Sequence, residues 1–162
     1  MANPAAFDAF YRANLARVVR ACTVVTVEPS VAEEIAAEAF TRLWAHWDRI
    51  ENEEHAIGYV FKTSMRLCSR RRRLREREER VAASQSTAGA IEGPGATEHQ
   101  DLVRAIRALP VRQRQTVALH DWAGFPTSEV ATMLSIREST VRVHLARAHA
   151  SLRATLREQE QE

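Results

Sequence analysis

The fourteen positions from Lys62 to Arg75 hold seven basic residues, Lys62, Arg66, Arg70, Arg71, Arg72, Arg73 and Arg75, and no acidic one. Guanidinium groups fork onto phosphate oxygens and guanine edges, so the chemistry on offer is capture of an anionic polymer. Tyr59 and Phe61 stand among these cations, and Trp44 and Trp47 lie shortly before them. Cations beside aromatic faces suit unpaired nucleic acid, whose phosphates need neutralising and whose bases need a platform. A second set, Arg137, Arg142, Arg147, Arg153 and Arg157, is opposed only by Glu138. It is interleaved with Ser139, Thr140 and His144, side chains able to touch base edges and phosphates from a major groove. The opposite sign is concentrated elsewhere. Between Glu28 and Glu54 eight acidic residues face two arginines, a local balance of −6 in a chain of net charge +2. Such segregation points to two partners, one basic and one anionic.

Bond-making chemistry finds little support. The six histidines, at 46, 55, 99, 120, 144 and 149, form no HExxH pair, and neither a GxSxG elbow nor a phosphate-cradling glycine loop occurs. Cys22 and Cys68 lack CxxC spacing and each falls on an apolar stripe, which favours packing over zinc binding or nucleophilic attack. The reading is therefore a binding protein with no cofactor and no metal. The first ten residues, MANPAAFDAF, lack a signal peptide's basic and apolar regions, and no stretch approaches the ~18 apolar residues of a membrane span. A cytoplasmic location without membrane insertion is expected.

These side chains need elements to hold them. With 162 residues, 45% hydrophobic and only five Gly and five Pro, the chain is large enough for one domain or two small ones and poor in turns, so an all-α fold is expected. Residues 84–98, SQSTAGAIEGPGATE, hold three of the five glycines and read as a flexible linker between units 1–83 and 99–162. In the first unit, Asn3 and Pro4 open a helix to about Thr26. Ser30 with Glu33 forms a capping box for a second helix to about Arg49. A third starts near Glu54 and carries Val60, Phe61, Met65 and Cys68 before its stripe gives way to Arg70–Arg73. Three such helices make a small bundle. In the second unit a short helix ends before Pro110, and Val111–Ala123 follows with Gly124 at its cap. A helix capped by Thr127 then turns through Ser135–Arg137 into a long one from Glu138 to about Arg157. That last pair is a helix-turn-helix pattern.

Glu33-Glu34-Ile-Ala-Ala-Glu38-Ala-Phe40-Thr-Arg42-Leu43-Trp44 resembles the A-E-D-L-V-Q-E-T-F-L-R-L-W helix of bacterial sigma factors. Leu109-Pro110-Val-Arg112-Gln113-Arg114, Ser128-Glu129-Val130-Ala131 and Thr140-Val141-Arg142-Val-His144-Leu-Ala-Arg147 resemble their L-P-x-R-Q-R, S-x-x-E-I-A and T-V-K-S-R-L-x-R runs. The order and spacing are similar to the extracytoplasmic-function, or group IV, class of the sigma-70 family, which keeps regions two and four. The resemblance implies a region 2 bundle, a four-helix region 4 and a function in directing core RNA polymerase to promoters. It implies that Glu34, Ile35, Glu38 and Arg42 dock on the β′ clamp helices, with further contact to the β subunit. Tyr59, Lys62, Arg66, Arg70, Arg71, Arg72 and Arg73 would face the melted −10 element of promoter DNA. Ser139, Thr140, Arg142, His144 and Arg147 would read the duplex −35 element. An anti-sigma factor is a further implied partner.

The chain departs from the family pattern at several positions. Ala37 replaces Gln, Arg66 and Arg70 stand where Asn and Asp are common, Ser135 replaces Gly, Arg137 replaces a capping Ser, and His144 replaces Arg. A histidine at 144 implies a weaker, pH-sensitive contact. The Thr-Val-Arg-Val-His string also resembles the recognition helix of LuxR-type regulators. The acidic helix Glu33–Trp44 separates the two readings, because a LuxR-type protein has no need of it.

Overall fold

Asn3 accepts hydrogen bonds from the backbone amides of Ala5 and Ala6 at 3.1 and 3.3 Å, and Pro4 occupies the first turn. Together they start α1, Pro4–Thr26, by satisfying amides that a helix N-terminus leaves orphaned. A computed structural model describes residues 3–84 and 98–159 of the chain. After α1 come α2 (Pro29–Trp44), a 3₁₀ turn (Trp47–Arg49), α3 (Glu53–Ala83), α4 (Glu98–Ala108), α5 (Val111–Val117), a π turn (Ala118–Trp122), α6 (Thr127–Leu134) and α7 (Glu138–Gln159). No strand occurs among the described residues.

Several sequence expectations are corrected. Ser30 does not cap α2: the helix begins one residue earlier at Pro29, and Glu28, its cap residue, makes no side-chain capping bond. The locked φ of proline is preorganised for a first helical turn, which outcompetes the capping box. α2 also stops at Trp44 instead of Arg49, and the 3₁₀ turn takes up the remainder. α3, for which the sequence offered no end, runs on past its arginines to Ala83. Past Cys68 it is mostly exposed, and pairs spaced four residues apart support it: Arg72 with Glu76 at 2.7 Å and Arg75 with Glu79 at 3.2 Å. Arg75 also reaches Glu28, at the turn between α1 and α2.

The linker expectation falls almost wholly on residues 85–97, outside the described residues. Of its ends, Ser84 caps α3 and Glu98 begins α4. The three helices α1, α2 and α3 pack on one another around Val18, Ala36, Leu43, Val60 and Met65, and α4 to α7 around Leu109, Val117, Val130, Val141 and Ala148. These buried residues belong to one continuous cluster, so the units are packed together. The rings of Phe61 and Phe125 meet edge to face at 4.8 Å across the junction.

The π turn shapes that junction. Val111–Ala123 is helical as expected, but its last turn widens, with the amide of Ala123 bonding Ala118 O at 2.9 Å, five residues back. Gly124 follows at φ 77°, a left-handed value that a side chain would strain, and carries the chain into Phe125.

Candidate nucleic-acid interface

Three charged surfaces emerge, and helical geometry decides which predicted residues share each. On α2 the buried stripe Ile35, Ala36, Ala39, Phe40 and Leu43 turns Glu34, Glu38 and Arg42 outward, all exposed. Arg42 pairs with Glu38 at 2.5 Å, one turn away. Ile35 is not part of this surface. It is 6% exposed and belongs to the core, since the apolar period of α2 points it inward. Trp44, 40% exposed and edge-on to Phe7 at 4.8 Å, extends the acidic ridge at its C-terminal end.

On α3, Tyr59, Lys62, Arg66, Arg70 and Arg73 recur at intervals of three or four residues and form one stripe. The Tyr59 hydroxyl lies 3.3 Å from His46 Nδ1, half-burying the ring. Tyr59, Lys62 and Arg66 line a groove of about 1060 Å³ whose far wall is Phe125, Ser128, Glu129, Thr132 and Met133 of the second unit. Arg71 and Arg72 do not join this stripe. The helical turn sends them to another cavity, whose lining they share with Arg107 and Arg114, and Arg72 is held by Glu76.

The helix-turn-helix is α6 and α7. Ser135 ends α6 in the left-handed region at φ 56°, and Ile136 N bonds Ala131 O at 3.0 Å. Thr127 does not cap α6, whose cap residue is Pro126. Its hydroxyl instead donates to Glu138 Oε1 at 2.6 Å and staples the start of α6 to that of α7. The same oxygen accepts from Arg142 Nη2 at 2.7 Å. The Thr127 hydroxyl, followed by Arg142, holds the Glu138 carboxyl below the usual carboxylate range. Glu138 thereby fixes Arg142 to the first turns of α7. Ser139, Arg142 and Arg147 are exposed and Thr140 is half-buried.

His144 differs from the expected free contact. It is half-buried on the flank of α7, and its Nδ1 is enclosed without a hydrogen-bond partner. Burial, then Arg147 and Arg112, pushes its pKa down. The outward face of α7, opposite buried Val141, Leu145 and Ala148, carries Ser139, Val143, Ala146 and Ala150. Sequence reasoning passed over Val143 because aliphatic residues are assigned to cores by default.

A fourth set of residues carries no motif and holds the units together. Arg17 donates through Nε to Ala123 O at 2.9 Å, and its guanidinium lies 4.2 Å from the Phe125 ring centroid and 5.4 Å from that of Phe61. Arg114, 5% exposed, donates to Val25 O at 2.8 Å. Gln115 Nε2 donates to Met65 O at 2.9 Å and to Ser69 Oγ at 2.8 Å. Cys22 and Cys68 are buried in the first unit, and the hydrogen bond to Cys22, then burial, pushes the Cys68 thiol well up. A thiol so disposed is a poor nucleophile. No helix among the described residues is long and apolar enough to cross a membrane.

Residues 99–152 match the family model for sigma-70, region 4. The chain is 28% identical over 154 residues to the RNA polymerase sigma-E factor of Streptomyces coelicolor, covering 93% of this chain and 85% of that protein. It is 26% identical to the ECF RNA polymerase sigma factor SigL of Mycobacterium tuberculosis, covering 97% and 92%. Its fold is similar to that of the sigma factor RpoE from Bartonella quintana, solved with the anti-sigma factor NepR. The TM-score is 0.77 and the identity 19%, over 93% of this chain and 96% of that one. It is also similar to CnrH, solved with the cytosolic domain of CnrY, with a TM-score of 0.68 and 18% identity over 96% and 90%.

Proposed function

The chain belongs to the extracytoplasmic-function class of the sigma-70 family, and from that premise we propose that it directs core RNA polymerase to promoters and initiates transcription there. The observation that carries this reading is the pairing of an exposed acidic ridge on α2 with a helix-turn-helix whose Arg142 is oriented by Glu138. Glu34, Glu38 and Arg42 bind the β′ clamp helices of the polymerase. Tyr59, Lys62, Arg66, Arg70 and Arg73 hold the separated strand of the −10 element by stacking and charge. Ser139, Thr140, Arg142 and Arg147 contact the −35 duplex, with His144 as a flanking contact. The chain supplies binding and no bond-making chemistry of its own, in the cytoplasm.

A LuxR-type regulator would use α6 and α7 alone. Similarity to sigma factors over 93% of the chain, α2 and α3 included, favours the sigma reading.

Physical distance adds a requirement. Elements ~25 base pairs apart on duplex DNA are separated by ~85 Å, at 3.4 Å per step. A folded chain of 162 residues has a radius of gyration of about 15 Å. The units must therefore part for both elements to be held at once. The thirteen residues 85–97, drawn out fully, reach about 45 Å. The packed arrangement is then the resting form, and the groove between Tyr59 and Phe125 is where an anti-sigma factor would stabilise it. Each unit alone makes few base contacts, and tethering both on the polymerase renders the second contact intramolecular. Reconstitution with core polymerase on a genomic template is the test: new RNA 5′ ends at defined sites are expected, and their absence with active core enzyme would overturn the reading.

A further inference from the structure

We propose that Val143 reads the methyl group of a thymine in the upstream duplex element, and that this apolar contact, rather than a polar one, sets base preference at the centre of the site. The inference rests on the promoter reading above and specifies how α7 discriminates.

Val143 is among the few large hydrophobic residues left open to solvent, at 45% exposure. Its position gives that exposure meaning. Val141, Leu145 and Ala148 are buried, so the line farthest from the core runs through Ser139, Val143 and Ala150, with Ala146 and Arg147 to either side of it. A recognition helix presents the N-terminal half of that line to the base edges. Guanine is read by Arg or Lys, adenine by Asn or Gln and cytosine by Asp or Glu. None of these types stands on the line. The arginines lie to its sides: Arg142 on one flank, engaged by Glu138 at 2.7 Å, and Arg147 on the other.

A ridge of one hydroxyl, one branched aliphatic and one alanine is short, so the helix backbone can approach the groove floor closely. The thymine C5 methyl is the apolar group a major groove offers there. Cytosine and the purines carry no methyl there, so they forgo the apolar contact that thymine makes with the valine. Arg142 and Arg147, at the margins, suit the phosphates that flank the groove. The division of labour is then positional: charge sets where the helix lies, and Val143 discriminates.

The test uses holoenzyme assembled from core polymerase and the full chain. Duplexes are selected from a library randomised across the upstream element, and each thymine of the selected sequence is replaced in turn by deoxyuridine, which removes only the methyl group. Expected is one position where the replacement weakens wild-type binding about fourfold, the worth of one buried methyl. V143S holoenzyme should bind the thymine and uracil duplexes alike at that position, while V143I keeps the discrimination. Because position 143 is exposed, neither variant disturbs the core. Tolerance of uracil at every position by the wild type, or undiminished thymine preference in V143S, overturns the inference while leaving promoter recognition standing. A wild-type holoenzyme that enriches no upstream element overturns both.

Discussion

The Arg17 guanidinium lies over Phe125, its Cζ 4.2 Å from the ring centroid, while its Nε donates to the carbonyl of Ala123, two residues before that ring, at 2.9 Å. One side chain from α1 thus meets both an aromatic face and a backbone acceptor of the other unit. Burial pulls the Arg17 pKa down, and Glu129 opposes that shift by attraction.

Replacing Arg17 with Ala removes the cation over the ring and strands the Ala123 carbonyl. The expected cost to the junction is about 1–3 kcal/mol, so the parted form becomes at least several-fold more populated. Small-angle scattering of the R17A chain should show a larger radius than the wild type. If parting limits assembly, its apparent affinity for core polymerase should rise by a similar factor. An unchanged radius would mean that Arg114 and Gln115 suffice to hold the units.

Charge reversal on the acidic ridge separates partner binding from folding. Glu34 and Glu38 are exposed, so E34K/E38K should shift thermal stability little, with Arg42 losing only a surface pair. Capture of core polymerase should fall tenfold or more, measured by co-purification and titration. Equal loss of folding and capture would contradict the assignment. I35A, by contrast, should cost about 2–5 kcal/mol of stability, because it opens a cavity in the core.

The Thr127–Glu138–Arg142 relay predicts non-additive effects. R142A should weaken upstream-element binding by about 1–3 kcal/mol if the guanidinium meets a base, or lower the salt slope by about one unit if it meets a phosphate. E138Q keeps the staple to Thr127 but weakens the hold on Arg142. It should lose a smaller share of binding, and adding it to R142A should cause little further loss.

His144 gives a pH dependence with a defined sign. Its folded pKa lies below the ordinary histidine value, lowered by burial and by Arg147 and Arg112. Between those two values the unfolded chain binds a proton that the folded chain refuses, so stability falls as pH drops below about 6.5. H144Q should flatten that part of the stability profile between about pH 7 and pH 5. The difference should stay below about 1 kcal/mol, because the ring is only partly buried. Chemical denaturation of both proteins across that range checks it.

Much of the architecture could be read from local pattern. The stripe from Ile35 to Leu43 has the period of a one-faced helix, and Gly124 marks a turn that needs a positive φ. The end of α3 has no signal in its apolar stripe, which stops at Cys68, while the pairs Arg72–Glu76 and Arg75–Glu79 keep the helix going without burial. Four consecutive arginines step by 100° around a helix, so those from 70 to 73 cannot share one surface, and Arg71 and Arg72 turn to another cavity. The junction was the least visible part. Its acceptors are the backbone carbonyls of Ala123, Val25 and Met65, which have no residue identity to betray them, and Arg17 and Ala123 are 106 positions apart.

The widened turn at Ala118–Trp122 amounts to one surplus residue in an otherwise regular coil. Deleting a single residue there would restore the tighter winding and swing everything downstream by about 100°. Phe125 and the Ala123 carbonyl would then miss Arg17, yet neither α3 nor α7 would have changed a side chain. The embrace between the two halves thus hangs on a count of one, and a similar chain lacking that residue would need some other means of keeping its halves together.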